Sequence, residues 1–466
     1  MISEKELAEL SFESAPKIIT ELPGPKSKQI GNEAKAFLSP ARTTAAEGAA
    51  PESVRPYWER ARGATLEDID GNLFIDLTAG IAVSAVGRLH PKVIAAVRDQ
   101  STKIMHGGNE SPIAVEMAKK LANIMPGTLR NHCFLAFTQG GSDAVETAIK
   151  YAHFITGKSQ IIAFEGAYHG VWHGSLAMTA KSAYRARFGQ LMPGIIHLPY
   201  AYCYRCFAGL KYPECNIACG KYFDYKLNSP ATGADDVAAV FIEPVQGEGG
   251  YVDPPPEFVK MVKAACDKKG ILFIADEVQA GAGRTGKMWS IEHYGITPDI
   301  LIFGKGIGGD TPMAGVVVRE DLHDKIAGAT QPNTFSRNGV SCAIVAANVD
   351  ILADEQMNIV GRVAQVGEEI KNKLISETKD IPIVGEVRGK GFMIGIELVK
   401  DKASAEPYPN VMGIAGKVRN KGILVASCGR ANNTLRMMPP LVITRDYFNK
   451  GIDAVLDVLR EESKLL

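Results

Sequence analysis

No apolar run in the chain approaches the ~20 residues that a membrane-crossing helix needs. Neither charge sign dominates: 52 Lys and Arg balance 52 Asp and Glu. No general basic field therefore exists to hold nucleic acid or an anionic membrane surface. The opening residues, Met1-Ile-Ser-Glu-Lys-Glu-Leu, lack the basic-then-apolar build of a signal peptide. Internal repeats and low-complexity tracts are also missing. These absences lead us to expect a soluble, cytoplasmic protein with neither a nucleic-acid nor a membrane partner.

At 466 residues the chain is longer than one core usually grows, so two structural domains are the default. Residues 1 to about 60 are loosely patterned, with Pro- and Gly-bearing irregular chain at 39–42 and 47–51. A hairpin is expected around Asp70-Gly71-Asn72, and helical periodicity follows over 91–104 and 112–124. Strand-like runs at 133–137, 161–164, 237–242, 271–275 and 300–303 then alternate with helical stretches. That alternation argues a mainly parallel sheet with helices on both faces. From residue 341 the texture changes to a long helix, short strands and a terminal helix over 447–459, which reads as a smaller α+β domain.

Two of those runs carry the most information. Ile271-Leu-Phe-Ile-Ala-Asp276-Glu-Val-Gln279 and Ile300-Leu-Ile-Phe-Gly-Lys305 each read as a buried strand that ends on an ionisable side chain. In an open α/β sheet the carboxyl ends of the strands are where ligands bind. A lysine emerging there is one whose amine can be desolvated and made nucleophilic, as Schiff-base chemistry requires. Upstream, Thr138-Gln-Gly-Gly141-Ser142 leads from a strand into a helix, a turn suited to holding a phosphate. It lacks the Lys-Ser/Thr ending of a nucleoside-triphosphate loop and the spacing of a dinucleotide fingerprint. Tyr168 and His169 follow a strand end, where an aromatic can stack on a flat ring. Glu243 and Glu248 follow another apolar strand, and carboxylates are rarely buried without partners.

Pyridoxal 5'-phosphate needs all these parts: a lysine, an acid facing its pyridine nitrogen, an aromatic on its face and a phosphate cup. From about Gly63 onward the chain resembles the class III (subgroup II) aminotransferases. These are fold-type I pyridoxal-phosphate enzymes that include 4-aminobutyrate, ornithine and acetylornithine aminotransferases. The motif Asp276-Glu-Val-Gln-Ala-Gly-Ala-Gly-Arg-Thr-Gly286, followed by 299–305, carries the resemblance.

The resemblance implies an α/β fold with a large cofactor-binding domain at 76–340 and a small domain at 341–466, which residues 1–75 join. It implies Lys305 as Schiff-base lysine and proton shuttle, Asp276 on the pyridine nitrogen, Gln279 near the ring hydroxyl, and Val278 and Tyr168 on the two ring faces. Gly141 and Ser142 would bind the phosphate, and Glu243 falls among the cofactor-binding residues. Thr334 would reach the phosphate of a partner subunit, which implies a homodimer. Arg436 would clamp the substrate carboxylate, and Glu248 would pair with it when a substrate end is uncharged. The reaction implied moves an amino group from an amino acid or ω-amino compound to a 2-keto acid. An amino-acid racemase, epimerase or lyase of the same family is the alternative.

Three departures bear on the substrate. Val171 follows His169-Gly170 where relatives acting on ω-amino acids carry an arginine for a distal carboxylate. Ser336-Arg337 stands where two glycines are usual. Finally, Cys203-Tyr-Arg-Cys206 and Cys215-Asn-Ile-Ala-Cys219 sit in an insertion, at a spacing compatible with a tetrahedral zinc site or with four small packing residues.

Overall fold

The computed structural model describes residues 1–39, 55–107, 110–326, 328 and 333–465. The irregular stretches expected at 40–42 and 47–51 lie outside them. By packing, the chain divides into a larger unit, 92–353, and a smaller one made of 1–91 and 354–466.

The larger unit is built on a seven-stranded sheet. Gln160–Phe164, Val237–Ile242, Leu272–Asp276 and Ile300–Phe303 run parallel, with Ile195–Leu198 parallel at one edge. Ala314–Arg319 runs antiparallel between Ile300–Phe303 and the other edge strand, Cys133–Thr138. Every residue of Val237–Ile242, Leu272–Asp276 and Ile300–Phe303 is buried, as expected of central strands covered on both faces. The helix Gly141–Thr156 lays Ala144, Val145, Ala148, Ile149 and Ala152 on this sheet, against Ile274, Ile302 and Val316. Those positions recur at helical spacing, so one apolar stripe meets one apolar face. Among them, Ile302→Ala removes side-chain volume that nothing else fills and should cost about 2–5 kcal/mol by chemical denaturation.

In the smaller unit, Val384–Lys390, Met393–Leu398, Thr434–Met437 and Ala426–Cys428 form an antiparallel sheet. The expected hairpin forms between Thr65–Asp68 and Leu73–Asp76. Asp68 Oδ1 closes its turn by accepting from the Asp70 and Asn72 amides at 3.0 and 2.8 Å.

The packing units divide at 91/92 and 353/354, where the sequence led us to expect domain limits at 75/76 and 340/341. The helix Gly339–Leu352 belongs to the larger unit because Asn348 Nδ2 donates to the Ile307 carbonyl at 3.1 Å and Ser341 Oγ meets Thr311 Oγ1 at 2.9 Å. No helix among the described residues is long and apolar enough to cross a membrane.

Candidate active site

Neighbouring parallel strands bring the acid and the lysine to one edge of the sheet. Asp276, last in its strand, pairs in register with Ile302, and Lys305 lies just beyond Phe303. Lys305 has a φ of +37°, a left-handed conformation that costs a non-glycine residue energy and is concentrated at functional sites. Asp276 is held from two sides. Its Oδ1 accepts from the Val278 amide at 3.1 Å, and its Oδ2 lies 2.7 Å from His169 Nδ1. Burial alone would push the His169 imidazole down, but the Asp276 hydrogen bond, with the charges of Asp276 and Glu243, outweighs it and raises its pKa.

Val278 lies between the glycine turn and the lysine. A methyl group on Gly141 would come 3.0 Å from Val278 Cγ1, and one on Gly304 would come 3.3 Å from the same atom. The turn itself opens the Gly141–Thr156 helix with Gly140 in the capping position, so no side chain caps the first amides. That leaves the helix N-terminus open to an anion. Ser142 Oγ accepts from the Val171 amide at 3.1 Å and keeps its own proton to donate. Gly170 presses against it: with φ at +128°, a Cβ there would sit 2.4 Å from Ser142 Oγ. Only glycine fits this crossing of loop and helix.

Glu243 ties two loops together. Its Oε1 accepts from the Tyr168 amide at 2.9 Å and its Oε2 from the Gly247 amide at 2.8 Å. Burial, joined by the Asp276 charge and opposed by His169 and the two amides, pushes this carboxyl up to about 7. Beyond Gly247, Glu248 is buried and accepts from Tyr184 Oη at 3.2 Å. The Tyr184 ring meets Tyr168 edge-on, with centroids 5.1 Å apart. Gln279 is also buried, against Gly247, and its Oε1 has no hydrogen-bond partner. Thr334 is exposed and follows Asn333, which bonds Asp143 at 2.8 Å and Gln139 at 2.6 Å.

Arg436 lies in the smaller unit, on Thr434–Met437, and is fully buried. Its strand neighbours are Gly395 and Ala426. Nearby on that sheet, Arg388 pairs with buried Glu397 at 2.6 Å.

These residues fit pyridoxal phosphate. The uncapped helix start and the Ser142 hydroxyl suit its phosphate, and the Asp276 carboxylate suits a protonated ring nitrogen. The unpartnered Gln279 Oε1 is a buried acceptor of the kind a ring hydroxyl would satisfy.

Zinc is not supported. Among the described residues no group of three or more His, Cys, Asp or Glu is placed to hold a metal ion. Cys203 begins a short 3-10 turn, Cys215 lies in a loop and Cys219 lies in the helix Ala218–Asn228. None of the four cysteines is in a disulfide.

Two residues of this network carry no role in the sequence reading. His169 appears there only as half of an aromatic pair, and Tyr184 does not appear. The partners of each lie far along the chain, at Asp276 and Glu248, so no local spacing marks them. A third, Glu277, is structural. Both its oxygens accept backbone amides, Ser290 at 2.9 Å and Ile291 at 2.6 Å, and burial nevertheless pushes its carboxyl up to about 8. The folded chain thus keeps a proton that the unfolded chain releases near 4.5. The resulting stability is full below that value and is lost as pH rises through about 8. Glu277→Gln, neutral throughout, should narrow the difference in melting temperature between about pH 5 and about pH 9. An undiminished difference would mean that Glu277 is ionised in the fold.

A family model described as Aminotransferase class-III matches residues 49–459. An alanine/serine racemase of Pyrococcus horikoshii is 35% identical over 455 residues, covering 96% of this chain and 93% of its own. The 4-aminobutyrate aminotransferase of Escherichia coli is 38% identical over 406 residues, covering 86% and 92%. An (S)-enantioselective omega-transaminase from Thermomicrobium roseum has a similar structure, with a TM-score of 0.85 at 31% identity over 93% of this chain and 98% of that one.

Proposed function

The chain belongs to the class-III aminotransferases, pyridoxal-phosphate enzymes of fold type I, and we propose that Lys305 and Asp276 carry its transamination chemistry. The observation behind this reading is the delivery of both residues to one sheet edge by adjacent parallel strands. Lys305 would anchor the cofactor through Nζ, and Gly141 and Ser142 would hold its phosphate. Tyr168 and Val278 would cover its faces, and Gln279 would meet its hydroxyl. When bound, the cofactor supplies a ring that withdraws electrons from the substrate carbon bearing the nitrogen. Asp276 opposes a positive charge on the ring nitrogen, and His169 fixes the orientation of that carboxylate. With the cofactor bound and its own amine free, Lys305 Nζ would hold the proton removed from the substrate carbon and give it back. Arg436 suits a substrate carboxylate, since a guanidinium fork binds one in two places.

Single-turnover spectroscopy of the holoenzyme tests the reaction. Mixing with an amino donor and no keto acid should discharge the cofactor's visible colour and release one carbonyl product per site, and a 2-keto acid should restore the colour. The relative in Pyrococcus horikoshii makes racemisation a second reading. Inversion of one amino-acid enantiomer without an acceptor, and with the colour retained, would decide for it.

A homodimer is part of the same proposal, with Thr334 serving the phosphate site of the partner subunit. Lys305→Ala and Thr334→Ala chains, each weak alone, should regain activity when mixed, because one site of the mixed dimer then holds both native residues. Activity no higher than the average of the two parents would place Thr334 in the site of its own chain.

A further inference from the structure

The loop that carries Thr334 is fastened to the chain's own glycine turn. Asn333 Nδ2 donates to Asp143 Oδ2 at 2.8 Å, and Asn333 Oδ1 accepts from Gln139 Nε2 at 2.6 Å. The Gln139 amide closes the ring by donating to the same Asp143 oxygen at 3.2 Å. Gln139 stands immediately before Gly140-Gly141-Ser142 and Asp143 immediately after it. One side chain therefore clasps both ends of the turn proposed to hold the phosphate. All three residues of the clasp are half-buried, where hydrogen bonds keep more of their strength than at a wet surface. Beyond the clasp the chain turns back at once. The Ser336 amide donates to the Asn333 carbonyl at 3.2 Å, and asparagine is a favoured opening residue of such a turn. The far end is anchored separately. The Phe335 and His106 rings lie 5.0 Å apart, and the Gly339 amide donates to the Met105 carbonyl at 2.8 Å. Thr334 lies between these anchors and is exposed, so the loop presents it outwards while its base stays tied to the phosphate turn.

We propose that Asn333 is a positioning residue for two phosphate sites at once: it holds the glycine turn of its own chain and aims Thr334 at the site of the partner subunit, so that cofactor in one site tightens the other. The inference rests on the homodimer reading, in which Thr334 serves the partner. Gly140 and Gly141 have no side chains to stiffen their turn, and an anion bound at the helix start orders it. Asn333 passes that order to Thr334, and the partner's site then receives its threonine already in place. A ligand whose site is partly ordered beforehand loses less conformational entropy on binding, which is positive cooperativity without any large movement. In a symmetric dimer the effect runs equally in both directions. Asn333 acts through Thr334 and through the turn, and touches no reacting atom.

The test is cofactor occupancy, read without turnover. The full-length dimer, stripped of cofactor, is dialysed to equilibrium against graded concentrations of pyridoxal phosphate, and the bound cofactor is measured directly. The wild type should fill sigmoidally, with the second equivalent bound about tenfold more tightly than the first. Asn333→Ala should bind more weakly and fill hyperbolically, both sites alike. Thr334→Ala should lose the sigmoid in the same way, because it removes the other end of the link. Thr334 is exposed, so its truncation leaves the fold intact and keeps the test decisive should Asn333→Ala unfold. A wild-type dimer that fills hyperbolically overturns the proposal. A sigmoid that survives in either variant also overturns it, and in Asn333→Ala would leave Asn333 a local brace of the turn. The dimer reading fails separately: light scattering that shows a monomer removes it, and this proposal with it.

Discussion

Lys305→Ala should abolish transamination, with kcat reduced by more than about 10³-fold and the visible colour of the bound cofactor lost. The size follows from losing two functions at once. A positioned general base contributes typically about 10²–10⁴-fold. The same amine is the proposed covalent anchor, and among the described residues no second lysine follows an apolar strand at this edge. The spectrum separates the two functions from simple misfolding. The variant should still bind cofactor through the glycine turn and Ser142, giving the absorbance of the free aldehyde form. Added methylamine should restore part of the rate, because a small amine fills the space that the side chain leaves. A variant that keeps the wild-type spectrum and rate would end the assignment.

Asp276→Asn should be nearly as severe, at about 10²–10³ in kcat, the scale seen when one oriented charge partner of a developing charge is removed. The variant keeps the shape of the side chain and one acceptor for the Val278 amide but loses the charge proposed to face the ring nitrogen. It also changes His169. The imidazole's pKa is raised above its ordinary value by Asp276 in spite of complete burial, so without the carboxylate the ring should become neutral. NMR of His169 would report that change independently of activity. His169→Gln should produce a smaller loss, within about tenfold, because it alters the support of the charge and leaves the charge itself. Equal losses in the two variants would give His169 a direct role in the reaction.

The strands and the turn that carry the proposed cofactor residues were legible because each is local. A strand, a turn and an ionisable residue are each written within a dozen positions, and the apolar runs ending at Asp276 and before Lys305 are fully buried strands. Two strands of the seven-stranded sheet were missed for physical reasons. Ile195–Leu198 is a four-residue edge strand containing a histidine. Ala314–Arg319 opens on Ala-Gly after a glycine-rich stretch and pairs antiparallel, which an alternation of strands and helices does not anticipate. The packing of Gly339–Leu352 with the larger unit was not legible, because the helix is buried on nearly every side and shows no amphipathic face to reveal its packing partner. On the substrate side, Tyr184 and Glu248 meet only through the fold. The cysteine spacing, which suggested zinc, reflects chain proximity without converging ligands.

The antiparallel strand also sets a timetable. Cys133–Thr138, which leads into the glycine turn, lies at an edge of the sheet and has Ala314–Arg319 as its sole neighbour there among the described residues. As a growing polypeptide leaves the ribosome, the remaining parallel strands can associate while this edge still waits for a segment translated much later. The strand leading into the proposed phosphate turn is therefore paired only after the lysine has been synthesised, and a nascent chain arrested before residue 314 should leave Cys133–Thr138 open to proteolysis, whereas one arrested well past residue 319 should protect it.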